Sequence, residues 1–219
     1  FIIYLYIKQM SSVTIPTDTI MSGNVTCSSN VSCSNLTITS SSIALGSNAG
    51  ATNQGASAIA IGSSAGSTGQ GLNAVAIGNN AGATGVTGQG ANAVAIGHTA
   101  GRNNQSANAI AIGNTAGTHS QGSNTIAIGI QAGSTGQSIN GIAIGSYAGS
   151  TSQEDAAIAI GFYSGQTSQQ NDAIAIGQYA GQIIQQGAAI AIGQNAGQSN
   201  QQNYTIAIGS NAAQTSQKN

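Results

Sequence analysis

The sequence predicts an all-β fold, a parallel β-roll or β-helix solenoid of about eleven coils of 16 residues each. Three observations predict it. A unit ending "IAIG" or a near variant recurs eleven times, closed by Gly46, Gly62, Gly78, Gly97, Gly113, Gly129, Gly145, Gly161, Gly177, Gly193 and Gly209. The spacing is 16 except between Gly78 and Gly97, where it is 19. A fixed period of this length marks a repeat architecture in which each unit stacks on its neighbours. Within the unit, "AIAIG" alternates with period 2, which is the signature of a strand; a helix would not put residues i and i+2 on one face. Between units lie "AG" and clusters of Asn, Ser and Gly, residues that turn a chain.

The segments before the repeat carry a different rhythm. Residues 1–9 are expected to be upstream sequence or a disordered leader, with the native chain starting at Met10. Residues 10–40 form a β-rich lead-in, in which "NVTC" and "NVSC" stand six residues apart. Pro16 precedes this segment, where it interrupts no ladder. Cys27 and Cys33 are the only cysteines. They can be plain strand residues, one disulfide or crosslinks between chains; a zinc site would want further ligands close by, and none is present. Residues 41–219 are the repeat domain.

Each coil is read from its marker glycine. One and three residues before it stand the large apolar side chains, expected to fill the interior: Ile59, Ile61, Val75, Ile77, Val94, Ile96, Ile110, Ile112, Ile126, Ile128, Ile142, Ile144, Ile158, Ile160, Ile174, Ile176, Ile190, Ile192, Ile206 and Ile208. Two residues before it stands alanine in every copy: Ala44, Ala60, Ala76, Ala95, Ala111, Ala127, Ala143, Ala159, Ala175, Ala191 and Ala207. If isoleucine points inward, alanine points outward, and solvent alone does not demand alanine at every coil. Close approach of a neighbouring chain does, so these alanines are the expected interface of a homotrimer; the alternative is that this face packs within the same roll. Glutamine recurs eight residues after the marker, at Gln54, Gln70, Gln105, Gln121, Gln137, Gln153, Gln169, Gln185, Gln201 and Gln217, and shifts to Gln89 in the longer copy. Stacked amides bond from layer to layer in β structures, so this column reads as an amide ladder. The three extra residues near Gly85 leave the next copy in phase, which places them in a surface loop.

Copies such as "NAVAIGNNAG" and "NTIAIGIQAG" resemble the head repeats of trimeric autotransporter adhesins of the YadA type. The resemblance covers 41–219 and implies a left-handed parallel β-roll with three chains side by side. The "AG-x-T-x-Q" beat also resembles repeats in fibre-like proteins of large DNA viruses and phages, and the short "GN-[VL]-T" run resembles lead-ins of their β-structured fibres. The family's stalk heptads and membrane-anchor barrel have no counterpart among these 219 residues.

Composition narrows the function. Charged residues make up 3% of the chain, against about 25% in a typical globular domain. Lys8, Arg102 and Lys218 are the only basic residues and lie far apart, so no electrostatic footprint for nucleic acid exists. The longest apolar run, 1–7, is far short of the roughly 20 residues of a spanning helix, and no membrane insertion is expected. His98 and His119 sit at different offsets in their copies and do not stack. Asp18, Glu154, Asp155 and Asp172 are the only carboxylates. Glu154 and Asp155 lie about one coil from Asp172, which would admit a catalytic pair, but corners are also where solvated charges belong. The glycines occur once per corner without the Lys-Ser/Thr of a phosphate loop. No catalytic residue, metal or cofactor is expected, and the chain is not read as an enzyme.

Five N-x-S/T sequons, at Asn24, Asn30, Asn35, Asn104 and Asn203, matter only on a secretory route. The expected function is a structural and adhesive module on a virion surface, self-assembled as a homotrimer, with a host-surface receptor or glycan as its external partner. Tyr147, Phe162, Tyr163, Tyr179 and Tyr204 are its candidate contact residues. A bacterial surface adhesin head is the alternative. A third reading is an ice-binding solenoid, from the threonines six after the marker: Thr52, Thr68, Thr84, Thr135, Thr151, Thr167 and Thr215. Asn103, His119, Ile183 and Ser199 interrupt that file.

Overall fold

The computed structural model describes residues 41–215, all within the unit Thr39–Asn219. The described residues contain strands, turns and bends but no helix. The predicted all-β parallel solenoid is present. The I-A-I tripeptides and their variants form one 11-stranded sheet and the segments ending in the recurring glutamine an 8-stranded one, every pairing parallel. Register follows the repeat: Ile142 pairs with Ile126 and Ile158, and Gln137 with Gln121 and Gln153. Backbone bonds run from coil to coil, as in Ile142 N to Ala157 O at 2.9 Å and Gly145 N to Ile128 O at 2.8 Å. The insertion falls in the strand Thr84–Gln89, which shifts register against Asn103–Gln105 while keeping Gln89 beside Gln105. It lengthens a strand rather than a surface loop.

The coil closes because residues at fixed places take a backbone conformation with positive φ. In the coil that starts at Gly113, Thr115, Gly117, Ser120 and Asn124 have φ of 54°, 52°, 54° and 59°. Single residues in this region are costly unless glycine or asparagine, by about 1–2 kcal/mol. The repeat spends asparagine and glycine on many of these positions and recovers the rest through coil-to-coil bonds. The marker glycine has a second reason: a Cβ on Gly129 would lie 2.6 Å from the carbonyl oxygen of Gly145 in the next coil.

The two faces of the I-A-I strand are the reverse of expectation. The alanines are the interior: Ala60, Ala76, Ala95, Ala111, Ala127, Ala143, Ala159, Ala175 and Ala191 are fully buried within the chain, and Ala207 nearly so. They pack with a second alanine column three after the marker, including Ala116, Ala132 and Ala148. The isoleucines and valines point outward. Most, from Ile59 and Val75 through Ile190, are half-buried; Leu45, Ile61, Ile192, Ile206 and Ile208 are exposed. The reason is space. A Cβ added to Gly133 would already lie 3.2 Å from the Cβ of Ala127 and 2.6 Å from the Gln137 amide oxygen. An interior that cannot take one more methyl cannot hold two isoleucines per coil. The alanines, covered by their own chain, are not an interface with another.

Candidate functional site

The polar interior is built around glutamine. Gln70, Gln89, Gln105, Gln121, Gln137, Gln153, Gln169, Gln185 and Gln201 are at most 1% exposed, and Gln54 is half-buried. Each reaches across the coil below a glycine, four residues before it in every coil but the long one, where Gln89 lies against Gly82. Gln137 Nε2 donates to the carbonyl of Ile126 at 3.0 Å, to that of Gly141 at 3.1 Å and to Gln153 Oε1 at 3.0 Å. Amide-to-amide bonds also join Gln54 to Gln70, Gln89 to Gln105, and each successive pair from Gln121 to Gln201. A buried amide left without partners costs roughly 1–3 kcal/mol, so nearly every donor is used. Where the ladder skips, between Gln70 and Gln89 and between Gln105 and Gln121, the acceptors Gln89 Oε1 and Gln121 Oε1 are unpartnered. From Gln70 to Gln201 this column binds the rod internally and presents no amides to a ligand. The pairing of glycine and glutamine four apart, as in Gly133 and Gln137, was the sequence signal that glutamine lies inside.

The outward side of the 11-stranded sheet is an apolar surface. It consists of two parallel files of Ile, Val and Leu with no polar residue between them on that side. At about 4.8 Å per strand it is roughly 50 Å long, and three residues at about 3.3 Å make it roughly 10 Å wide. Its area is therefore on the order of 500 Å², within the range of the largest patches on monomers, which are often functional.

At the corner after this sheet the aromatic side chains gather. Tyr147, Tyr163 and Tyr179 stack in file, with centroids 4.6 Å apart at 2° and 5.6 Å apart at 19°. Phe162 sits edge-on to Tyr163 at 4.4 Å and to Tyr179 at 5.6 Å. Tyr204 is 79% exposed and lies at the opposite return corner. Beside them Ser164, which replaces the usual alanine, is buried and donates to Ala175 O at 2.7 Å.

The remaining candidates separate. Glu154, Asp155 and Asp172 are exposed on neighbouring corners. Asp155 Oδ1 accepts the Ile139 N–H at 3.2 Å, and Asp155 N donates to Asn171 Oδ1 at 3.1 Å, which makes Asp155 a corner cap. His98 and His119 are exposed on different elements. Thr135, Thr151 and Thr167 stack in register on the second sheet, but His119 and Ile183 adjoin them. Asn104 is half-buried and Asn203 exposed. An open groove of about 360 Å³ runs past Asn104, Ser120, Gln137 and Asp155. Among the described residues, no three His, Cys, Asp or Glu converge to hold a metal, and no helix is long and apolar enough to cross a membrane.

The sequence had not singled out an exposed file of asparagines, Asn73, Asn92, Asn108, Asn124 and Asn140, whose amides bond coil to coil at 3.1–3.3 Å. Its signal was an asparagine five before five successive markers. Cys27, Cys33, Asp18, Gln217, Lys8, Lys218 and the sequons at Asn24, Asn30 and Asn35 lie outside the described residues, as do the leader 1–9 and the whole lead-in region 10–40. Compared with family models, curated proteins and solved structures, the chain matches none.

Proposed function

We propose that this chain is a structural and adhesive rod, a head or fibre module of a virion surface that mediates attachment. It works as a side-by-side homotrimer of left-handed rolls whose isoleucine faces meet at the centre. The observation that carries the reading is the outward isoleucine face. A chain with 3% charged residues and a continuous apolar sheet face roughly 50 Å long gains by covering that face with its own kind. Burying a whole Ile side chain is worth about 1.5–3 kcal/mol, so the part of each half-buried side chain still in water adds on the order of 1 kcal/mol per residue on assembly. The number three and the hand come from the likeness of "NTIAIGIQAG" to YadA-type head repeats. A bacterial surface adhesin head rests on that same likeness; the viral placement rests on the "AG-x-T-x-Q" beat. The corners away from that face, which vary from coil to coil, then meet a receptor or glycan.

Light scattering on the full chain tests the assembly. The expected mass is three times the 21.3 kDa of one chain. Ile128→Ser with Ile144→Ser should lower that mass at low micromolar concentration while leaving the β circular dichroism signal in place. A wild-type monomer, or a double variant that stays assembled, refutes the reading. Labelling of intact virions by an antibody to the rod tests the location; labelling confined to bacterial surfaces would transfer the module to the alternative.

A further inference from the structure

The regularity of the isoleucine face creates a problem for any assembly built on it. All eleven strands offer nearly the same tripeptide. Two copies that slide past one another by one coil, about 4.8 Å, lose only the contact of the end coil. Flat, repetitive strand faces specify register weakly. A feature that does not repeat must choose the alignment.

One such feature adjoins the face. The residue after each marker glycine is small or polar in nine coils, such as Asn114, Ser146 and Gln178, but it is Ile130 in one and Phe162 in another. These two side chains are 52% and 41% exposed. Both stand in the turn that follows the strand, separated from Ile128 and Ile160 by the marker glycine alone. At these two coils exposed apolar side chains therefore continue past the end of the strand. Phe162 is held edge-on against the Tyr163 and Tyr179 rings, so it is presented by a fixed support. Tyr163 lies between Tyr147 and Tyr179, with both its faces taken up by stacking. No charged residue belongs to the cluster to engage an ionic ligand. Continuity with the isoleucine face leaves a second copy of this chain as the occupant.

We propose that the Phe162 corner is a register lock: in the assembly it packs against the neighbouring copy at the same coil level and aligns the rods coil for coil. This rests on the oligomer proposed above. The test measures axial alignment in the full chain with Cys27 and Cys33 replaced by serine. Chains carrying a nitroxide at Ser63→Cys are mixed with chains carrying a gadolinium chelate at Gln194→Cys; both positions are exposed. These sites are eight coils apart, so the axial separation is about 38 Å, and each coil of slippage moves it by about 5 Å.

The native corner should give one narrow distance between unlike labels. Phe162→Ser with Tyr163→Ser should add further distances in steps of about 5 Å, at unchanged mass by light scattering. Phe162→Gln, which copies the residue of the next two coils, should do the same without disturbing the tyrosine stack. A single unchanged distance in both variants overturns the lock while leaving the oligomer standing. A wild-type monomer overturns the oligomer itself. Unchanged register with loss of binding on a glycan array overturns the lock and gives the corner to a carbohydrate.

Discussion

Gly133→Ala is the sharpest probe of the interior, because Gly136→Ala supplies its control in the same coil. Both glycines are left-handed, with φ of 51° and 68°. Both substitutions therefore carry the conformational penalty of a side chain there, about 1–2 kcal/mol. They differ in what the new methyl meets. At Gly133 it would lie 2.6 Å from Gln137 Oε1 and 3.2 Å from Ala127 Cβ, whereas at Gly136 nothing is nearer than Ser152 Cα at 3.9 Å. The Gln137 amide must move, and it holds two backbone carbonyls and Gln153. Disturbing such a buried amide costs about 1–3 kcal/mol more.

At about 2–4 °C per kcal/mol for a chain of this length, Gly136→Ala should lower Tm by roughly 2–8 °C and Gly133→Ala by roughly 4–20 °C. Thermal and urea unfolding followed by circular dichroism reads both. Adding Gln137→Ser to Gly133→Ala tests the cause: the two should be less than additive, since removing the amide removes the clash. Equal effects of the two alanines, or strict additivity with Gln137→Ser, would refute the account of a filled amide interior.

Other outcomes follow from the same geometry. Ala127→Gln places a long polar side chain in an interior already closed by Gln137, so it should abolish the β signal at that level of the rod and raise hydrogen exchange in the coils on both sides; an assembly that loosens with intact protection would restore alanine to an interface. Gln137→Leu strands Gln153 Oε1 and removes a partner from Gln121 Nε2, and should cost about 3–5 kcal/mol in urea unfolding, well above the roughly 1 kcal/mol of an ordinary hydrogen bond. With so few charges, assembly through the isoleucine face should keep the same mass between 50 mM and 500 mM salt, where screening would dissolve a charge-driven contact; dissociation on adding salt would point to a polar interface.

Much of this fold was legible in one dimension. A 16-residue beat of "IAIG" determined parallel stacking, because identical strands one period apart can only pair in register along a rod. The "AG" dipeptide marked a left-handed turn, seen at Gly117 and Gly133. The glutamine column was visible as a column, but its surroundings were not: whether Gln137 meets solvent or the carbonyls of Ile126 and Gly141 depends on how tightly the coil closes. The same closure decided which side of I-A-I lies inside. Both faces of that strand are apolar, and a period of two separates faces without saying which one is enclosed. Left-handed corners at residues such as Thr115, Ser120 and Tyr147, none of them glycine, draw the chain into a cross-section that alanine, glycine and a flat amide fill. Only the tertiary structure sets that cross-section, so the larger side chains, Ile126 and Ile128 among them, were left to form the outer face.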